Sequence, residues 1–180
     1  MLVAQRVFPL PKAVTSYSRP GEIVAHVAYA SSADGARAAA PPTTAALPAP
    51  DVTIRLGVVA GQIRFDQTAL TVAPGQLVQL VYTNPDVMQH NFLLGAPGSL
   101  EQIGTAADAM LTTGDALANQ YVPPIAQVLY ATPIVEPGQT ITVQFRAPSE
   151  AGQYPYVCTF PGHWRLMNGV LTVRAAGAER

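Results

Sequence analysis

One cysteine in 180 residues leaves no partner for an internal disulfide. Charge is also scarce: Lys, Arg, Asp and Glu make up 12% of the chain, and the net charge is −1. A nucleic-acid binder needs a basic patch, and this composition does not supply one. No apolar run reaches the roughly 18 residues that a membrane-crossing helix requires. The N-terminus is a poor secretory leader. Arg6, Pro9, Pro11 and Lys12 break its apolar residues, so no continuous apolar core of about 7–15 residues forms. Ala28-Tyr29-Ala30 has the small-x-small look of a cleavage site without that core in front of it.

What is present suffices for one domain with a real core and some extra chain. Residues 31–50, SSADGARAAAPPTTAALPAP, are rich in Ala, Pro, Thr and Ser and show no hydrophobic period. They read as a linker. Residues 1–30 are too short to bury a core alone and hold one possible short strand, residues 22–29. They carry +2 (Arg6, Lys12 and Arg19 against Glu22), whereas residues 51–175 carry −3 (five basic, eight acidic). The first segment is read as an arm or the remnant of an upstream module, 51–175 as the domain, and 176–180 as a tail.

From Asp51 the pattern is all-β. Val52, Ile54 and Leu56 alternate with Thr53 and Arg55; Ile63 and Phe65 with Arg64 and Asp66; Ile141, Val143 and Phe145 with Thr142, Gln144 and Arg146; Leu171 and Val173 with Thr172 and Arg174. Period two with polar alternate positions predicts half-buried strands. The more evenly apolar Leu77 to Tyr82 predicts a central strand. Pro74-Gly75 and Pro137-Gly138 mark turns, each opening a strand with the same chemistry. Together these predict an antiparallel β-sandwich with Greek-key connections. One segment departs from the pattern. Leu100, Ile103, Ala107 and Met110 are spaced as on a helix, with Ser99 and Gln102 placed for a capping box and Gly114 for the end. It predicts a helical flap lying as a lid over one open end of the sandwich.

The single cysteine stands in Cys158-Thr159-Phe160-Pro161-Gly162-His163-Trp164-Arg165-Leu166-Met167, which reads C-x4-H-x3-M. With three His and four Met in the chain, this spacing arises by chance about 4 times in 10,000. A lone cysteine is by default a small buried hydrophobe. Thiolate, imidazole and thioether together are instead a blue-copper ligand set, which needs one more histidine from elsewhere in the fold. His90, after a strand and the turn-prone Asn84-Pro85-Asp86, is placed to be it. Two imidazoles, one thiolate and a weak axial thioether suit both copper oxidation states, so little has to move when an electron arrives. His90, Cys158 and His163 with axial Met167 are thus the expected copper ligands. Gln89, Asn91, Thr159 and Phe160 flank them and are expected to support them. The Asn91 side chain is placed to bridge the two ligand segments, and its main-chain N–H to reach the sulfur. Phe160 and Trp164 are expected to keep water from the sulfur, with Trp164 either packed in the core or rim or docking a partner. His163, on a short loop at one end of the sandwich, is expected to be the route for electrons.

Residues 51–175 resemble the cupredoxins, and within them the azurin-like branch. The stretches NPDVMQHN and YPYVCTFPGHWRLMNG carry the resemblance, which extends to azurin-like domains at the C-terminus of larger bacterial redox proteins. Plastocyanins usually have a shorter gap from Cys to His. The resemblance implies a type 1 copper electron carrier working outside the cytoplasm, in the periplasm or at the cell surface. Its donor and acceptor would be redox proteins, such as a cytochrome or a fused or partner dehydrogenase. Two departures stand out. Azurins usually carry a glycine where this chain has Gln89, so a second axial contact there stays open, and they carry a disulfide that this chain lacks.

Other chemistries fit less well. A thiol hydrolase built on Cys158 and a histidine would leave Met167 without a role and its base without an orienting group. Structural zinc takes four Cys or His ligands, and thioether is not a usual donor. A binuclear copper centre needs a second cysteine, and a copper enzyme needs further histidines. Only His26 remains, read as unligated. A copper storage or delivery protein is the remaining alternative, distinguished by whether electrons exchange rapidly without loss of metal.

Overall fold

The computed structural model describes residues 48–174 and the short strand β1, Ala28–Tyr29. The rest of the predicted strand at 22–29, His26, and most of the 1–30 arm and 31–50 linker lie outside the described residues. Eight further strands follow: β2 Val52–Gly57, β3 Ala69–Val72, β4 Leu77–Thr83, β5 Leu93–Gly95, β6 Val128–Ala131, β7 Thr140–Arg146, β8 Gly152–Val157 and β9 Asn168–Val173. One helix, α1 Leu100–Thr113, lies between β5 and β6.

The strands form two sheets ordered β1-β7-β4-β2 and β3-β9-β8-β5-β6. The chain passes repeatedly from one to the other, as in a β-sandwich. Strand β4 is central, between β7 and β2, as its apolar run predicts. The expectation of purely antiparallel pairing is corrected: β2 pairs with β4, and β3 with β9, in parallel. The reason is topological. β3 crosses to the second sheet before β4 returns beside β2, so β2 and β4 run the same way. Ile63 and Phe65 do not form a strand. Phe65 makes only an isolated bridge to Val58, and its ring enters the core from a loop.

Alternation then fills the interior. Val78, Leu80 and Tyr82 of β4 and Ile141, Val143 and Phe145 of β7 face Leu94, Tyr156 and Leu171 of the second sheet. Phe65 lies 5.2 Å from Tyr156 between ring centroids, and Phe92 5.5 Å from the same ring. Such pairs contribute about 0.5–1.5 kcal/mol each beyond burial. Cys158, which follows β8, belongs to the same buried cluster as these rings. The two Pro-Gly turns share their chemistry to the atom. Gln76 Oε1 accepts from Ala73 N at 2.7 Å, and Gln139 Oε1 from Glu136 N at 3.2 Å.

Helix α1 buries Ile103, Gly104, Ala107 and Met110 and ends at Gly114. The capping box does not form: Ser99 makes no side-chain cap, and its hydroxyl donates back to Ala96 O at 2.6 Å. Nor does the helix close an open end of the sandwich. Ile103 packs in a second core with Leu93, Val128, Val157 and Trp164. Leu93 and Val157 point away from the main core that holds Leu94 and Tyr156, so α1 covers the outer face of the second sheet. That burial on both faces explains why β5 reads as apolar throughout. No helix among the described residues is long and apolar enough to cross a membrane.

Candidate metal centre

Two chain segments meet at one end of the sandwich. The first leaves β4 through Asn84, whose side chain donates to Met88 O at 2.8 Å and Val135 O at 2.9 Å. This clamps residues 84–89 into a compact loop. His90 then pairs with Val135 through main-chain bonds in both directions, His90 N to Val135 O at 3.3 Å and Val135 N to His90 O at 2.7 Å. The second segment follows β8. Cys158 N donates to Met167 O at 3.0 Å, and Met167 N to His163 O at 2.8 Å, so three of the expected ligands share one hydrogen-bonded loop. Gly162 in that loop has φ 81°, a conformation that disfavours a side chain.

The loops bring His90, Cys158 and His163 together. Their ligand atoms all lie within 4.8 Å of one another. Cys158 Sγ is 3.8 Å from His90 Nδ1 and 3.7 Å from His163 Nδ1. A trigonal centre with ordinary metal–nitrogen and metal–sulfur bonds of about 2.0–2.3 Å spans about 3.8 Å from nitrogen to sulfur, and a tetrahedral one about 3.5 Å. The observed separations are of the size that one metal ion bound by all three donors would require. Met167 is fully buried and packs in the same core cluster as Cys158. The donor set therefore fits a soft, redox-active metal.

Burial sets the protonation states. It pushes the Cys158 thiol up to about 12, although the main-chain N–H groups of Asn91 and Phe160 pull the other way. The metal-free site therefore holds a thiol, and metal uptake releases its proton. Burial, with His90 adding to it, brings His163 down to about 4; burial also lowers His90, against the pull of Asp86. Both imidazoles are neutral at pH 7 and offer lone pairs. An unfolded histidine titrates near 6.5, so between about pH 6.5 and pH 4 the unfolded chain binds more protons than the folded one. The stability of the metal-free protein is then fully present above about pH 6.5 and falls as pH drops toward 4. Denaturant midpoints of the metal-free protein are expected to decline across this window; a flat profile would contradict buried neutral imidazoles.

The flanking residues divide into several roles. Asn91 bridges the two segments: its Oδ1 accepts from Thr159 N at 2.8 Å, and its Nδ2 donates to Thr159 Oγ1 at 3.0 Å and Gln120 O at 3.1 Å. The Thr159 hydroxyl donates to Tyr121 O at 2.6 Å. Phe160 lies against the His163 ring at 5.0 Å between centroids. Gln89 turns away, donating from Nε2 to Glu136 Oε1 at 2.7 Å on the surface, so its side chain makes no axial contact. Trp164 is buried rather than available for docking. Its indole rests on Gly104, where an added Cβ would lie 2.1 Å from the ring. Its Nε1 donates to Asp108 Oδ2 at 3.0 Å, and Arg165 covers the ring at 4.1 Å. The helix thus anchors the residue that follows His163.

Two features escape a sequence reading. Gln120 and Tyr121 adopt positive φ, 54° and 58°, and present the carbonyls that Asn91 and Thr159 use; nothing in their sequence signals this. Asp86 is buried, with Oδ2 3.2 Å from His90 Nε2 and Oδ1 accepting from Gly61 N at 3.1 Å and Val87 N at 2.7 Å. Burial opposes its ionisation, but these donors outweigh it and hold the carboxyl below its usual range. The only signal was a carboxylate four residues before a histidine.

Residues 52–174 of the chain match the family described as copper binding proteins, plastocyanin/azurin family. The chain belongs to the plastocyanin/azurin family of cupredoxins. It is 39% identical over 123 residues to auracyanin-A of Chloroflexus aurantiacus, covering 68% of this chain and 74% of that protein. It is 30% identical over 128 residues to azurin of Pseudomonas aeruginosa, covering 63% and 79%. The solved structure of auracyanin A, described as a "blue" copper protein, superposes with TM-score 0.61 at 37% identity, covering 68% of this chain and 98% of that one. Auracyanin B superposes with TM-score 0.62 at 28% identity, covering 74% and 96%. As a cupredoxin, this protein is an electron carrier with a single type 1 copper, not an enzyme. A carrier works between a donor and an acceptor. Thiol hydrolysis is not favoured, because Cys158 is fully buried and its thiol is far from ionising at pH 7.

Proposed function

We propose that His90, Cys158 and His163 hold the copper, with Met167 as the weak axial donor, and that the His163 edge is where electrons enter and leave. The convergence of two Nδ1 atoms on one buried sulfur at 3.7 and 3.8 Å carries this reading. Bound copper supplies a couple between Cu(I) and Cu(II). The chain supplies the rest. Residues 84–90 and 158–167 arrive already cross-linked, so the donors are positioned before metal enters. The aromatic core and Phe160 exclude water. Met167, His90 and Cys158 are 0% exposed and His163 is 3% exposed, which makes His163 the donor nearest a partner.

The surface beside it supports docking through apolar contact. Leu166, within the Cys158–Met167 loop, is 67% exposed, and Val87, in the His90 loop, is 85% exposed. The family likeness favours an extracytoplasmic setting, in the periplasm or at the cell surface, and a redox-protein partner such as a cytochrome or a fused or partner dehydrogenase. Residues 51–175 form the redox unit in this reading, with 31–50 as its tether and 1–30 as an arm or the remnant of an upstream module. Leu166→Asp is expected to keep the copper and its colour while slowing electron self-exchange by about tenfold or more, since it sets like charges against each other at the contact. Unchanged exchange kinetics would place the electron route elsewhere.

A further inference from the structure

Asp86 is a buried carboxylate one imidazole away from the cluster of donors. It has no role in the core, and its position in an Asn84-Pro85-Asp86 turn does not require its second oxygen. That turn uses only Oδ1, which accepts from Val87 and from Gly61 of a distant loop. The other oxygen, Oδ2, faces His90 Nε2 at 3.2 Å. A carboxylate is an acceptor only, and a neutral imidazole carries one proton. The proton of His90 is therefore drawn to Nε2, and the lone pair is left on Nδ1, the atom that faces Cys158 Sγ at 3.8 Å. A carboxylate in this position also makes the imidazole a stronger donor.

We propose that Asp86 is a positioning residue with a fixed negative charge, which selects the metal-ready tautomer of His90 and lowers the reduction potential of the centre. This rests on the ligand assignment proposed above. The charge acts through the buried imidazole, where screening by water is weak. It favours the more positive oxidation state of the metal and so stabilises Cu(II) over Cu(I). Electrons held here are therefore given up more readily than they would be without Asp86.

Asp86→Asn tests both parts. Its single oxygen, kept by Gly61 and Val87, leaves an amide N–H to face Nε2, which favours the opposite tautomer. Nitrogen-15 NMR of the metal-free wild type is expected to show His90 protonated on Nε2, and the folded variant is expected to shift toward Nδ1. With copper bound, the variant is expected to keep the thiolate-to-copper band and to show a midpoint potential shifted upward. Failure of the folded variant to take up copper would be the same tautomer effect at its extreme. A role confined to the turn would lower thermal stability but move neither tautomer nor midpoint. An unchanged midpoint with the band intact, or Nδ1–H in the wild type, would overturn the proposal. The wild-type NMR result decides even if the variant does not fold. A wild type that shows no such band would instead remove the ligand assignment itself.

Discussion

Cys158→Ser, loaded with one equivalent of Cu(II), is expected to be colourless where the wild type is intensely blue or green. The colour and the narrow copper hyperfine splitting in EPR both arise from covalent coupling between copper and a thiolate. The chain has one thiol, so no other residue can restore them. Serine is close to cysteine in shape, and its hydroxyl would face the same two Nδ1 atoms that now lie 3.7 and 3.8 Å from the sulfur. The fold should therefore persist, with any bound Cu(II) giving an ordinary EPR signal. The visible and EPR spectra of the two proteins side by side decide the matter. A wild type with an ordinary Cu(II) signal, indifferent to the substitution, would mean that the cluster does not bind copper through sulfur.

Asn91→Ala is expected to destabilise the metal-free protein by about 2–4 kcal/mol and to speed copper loss from the loaded one. The side chain is fully buried and links three partners on two other segments: Thr159 N, Thr159 Oγ1 and Gln120 O. Alanine leaves the buried Thr159 N–H without a partner, at about 1–3 kcal/mol, and also removes the part-buried bond to Gln120 O. It also removes the bond that holds the Cys158 segment to the His90 segment. Denaturant unfolding gives the first quantity, and copper transfer to a chelator gives the second. A midpoint close to wild type with unchanged copper release would show that the bridge is dispensable to the cluster. The effect should be larger than that of an exposed polar substitution, because the orphaned Thr159 N–H is buried away from water.

The readable and unreadable parts of this fold separate by the range of the interactions that make them. Strands β2, β7 and β9 were legible because a period of two is printed on each of them, and β4 because its run is evenly apolar. Strands β5 and β6, only three and four residues long, were not, since so few residues carry no period. Ile63 and Phe65 alternate like a strand, yet Phe65 reaches the core from a loop. The parallel pairings depend on which strand lies beside which, and alternation contains no information about neighbours. The helix was legible from its 3.6-residue spacing. Its cap was not, because Ser99 has a competing acceptor, Ala96 O, at 2.6 Å.

The candidate donors followed from composition. One Cys followed by His and Met at fixed spacing leaves few chemistries open, and the spacing itself follows from a short loop that returns a main-chain bond from Cys158 N to Met167 O. The sequence by itself thus determined the metal class, the two donor segments and the all-β frame, because each is written in residues close together along the chain. Only the tertiary structure decided that Asp86 faces His90, that Gln120 and Tyr121 receive the Asn91 and Thr159 bonds, that Gln89 turns to Glu136, and that Gly104 and Asp108 bury Trp164. Most of these contacts join residues tens of positions apart, and even the nearest, between Asp86 and His90, depends on a loop clamped by Val135 and Gly61. Their partners are selected by packing two sheets and a helix against one another, and no local pattern records that choice.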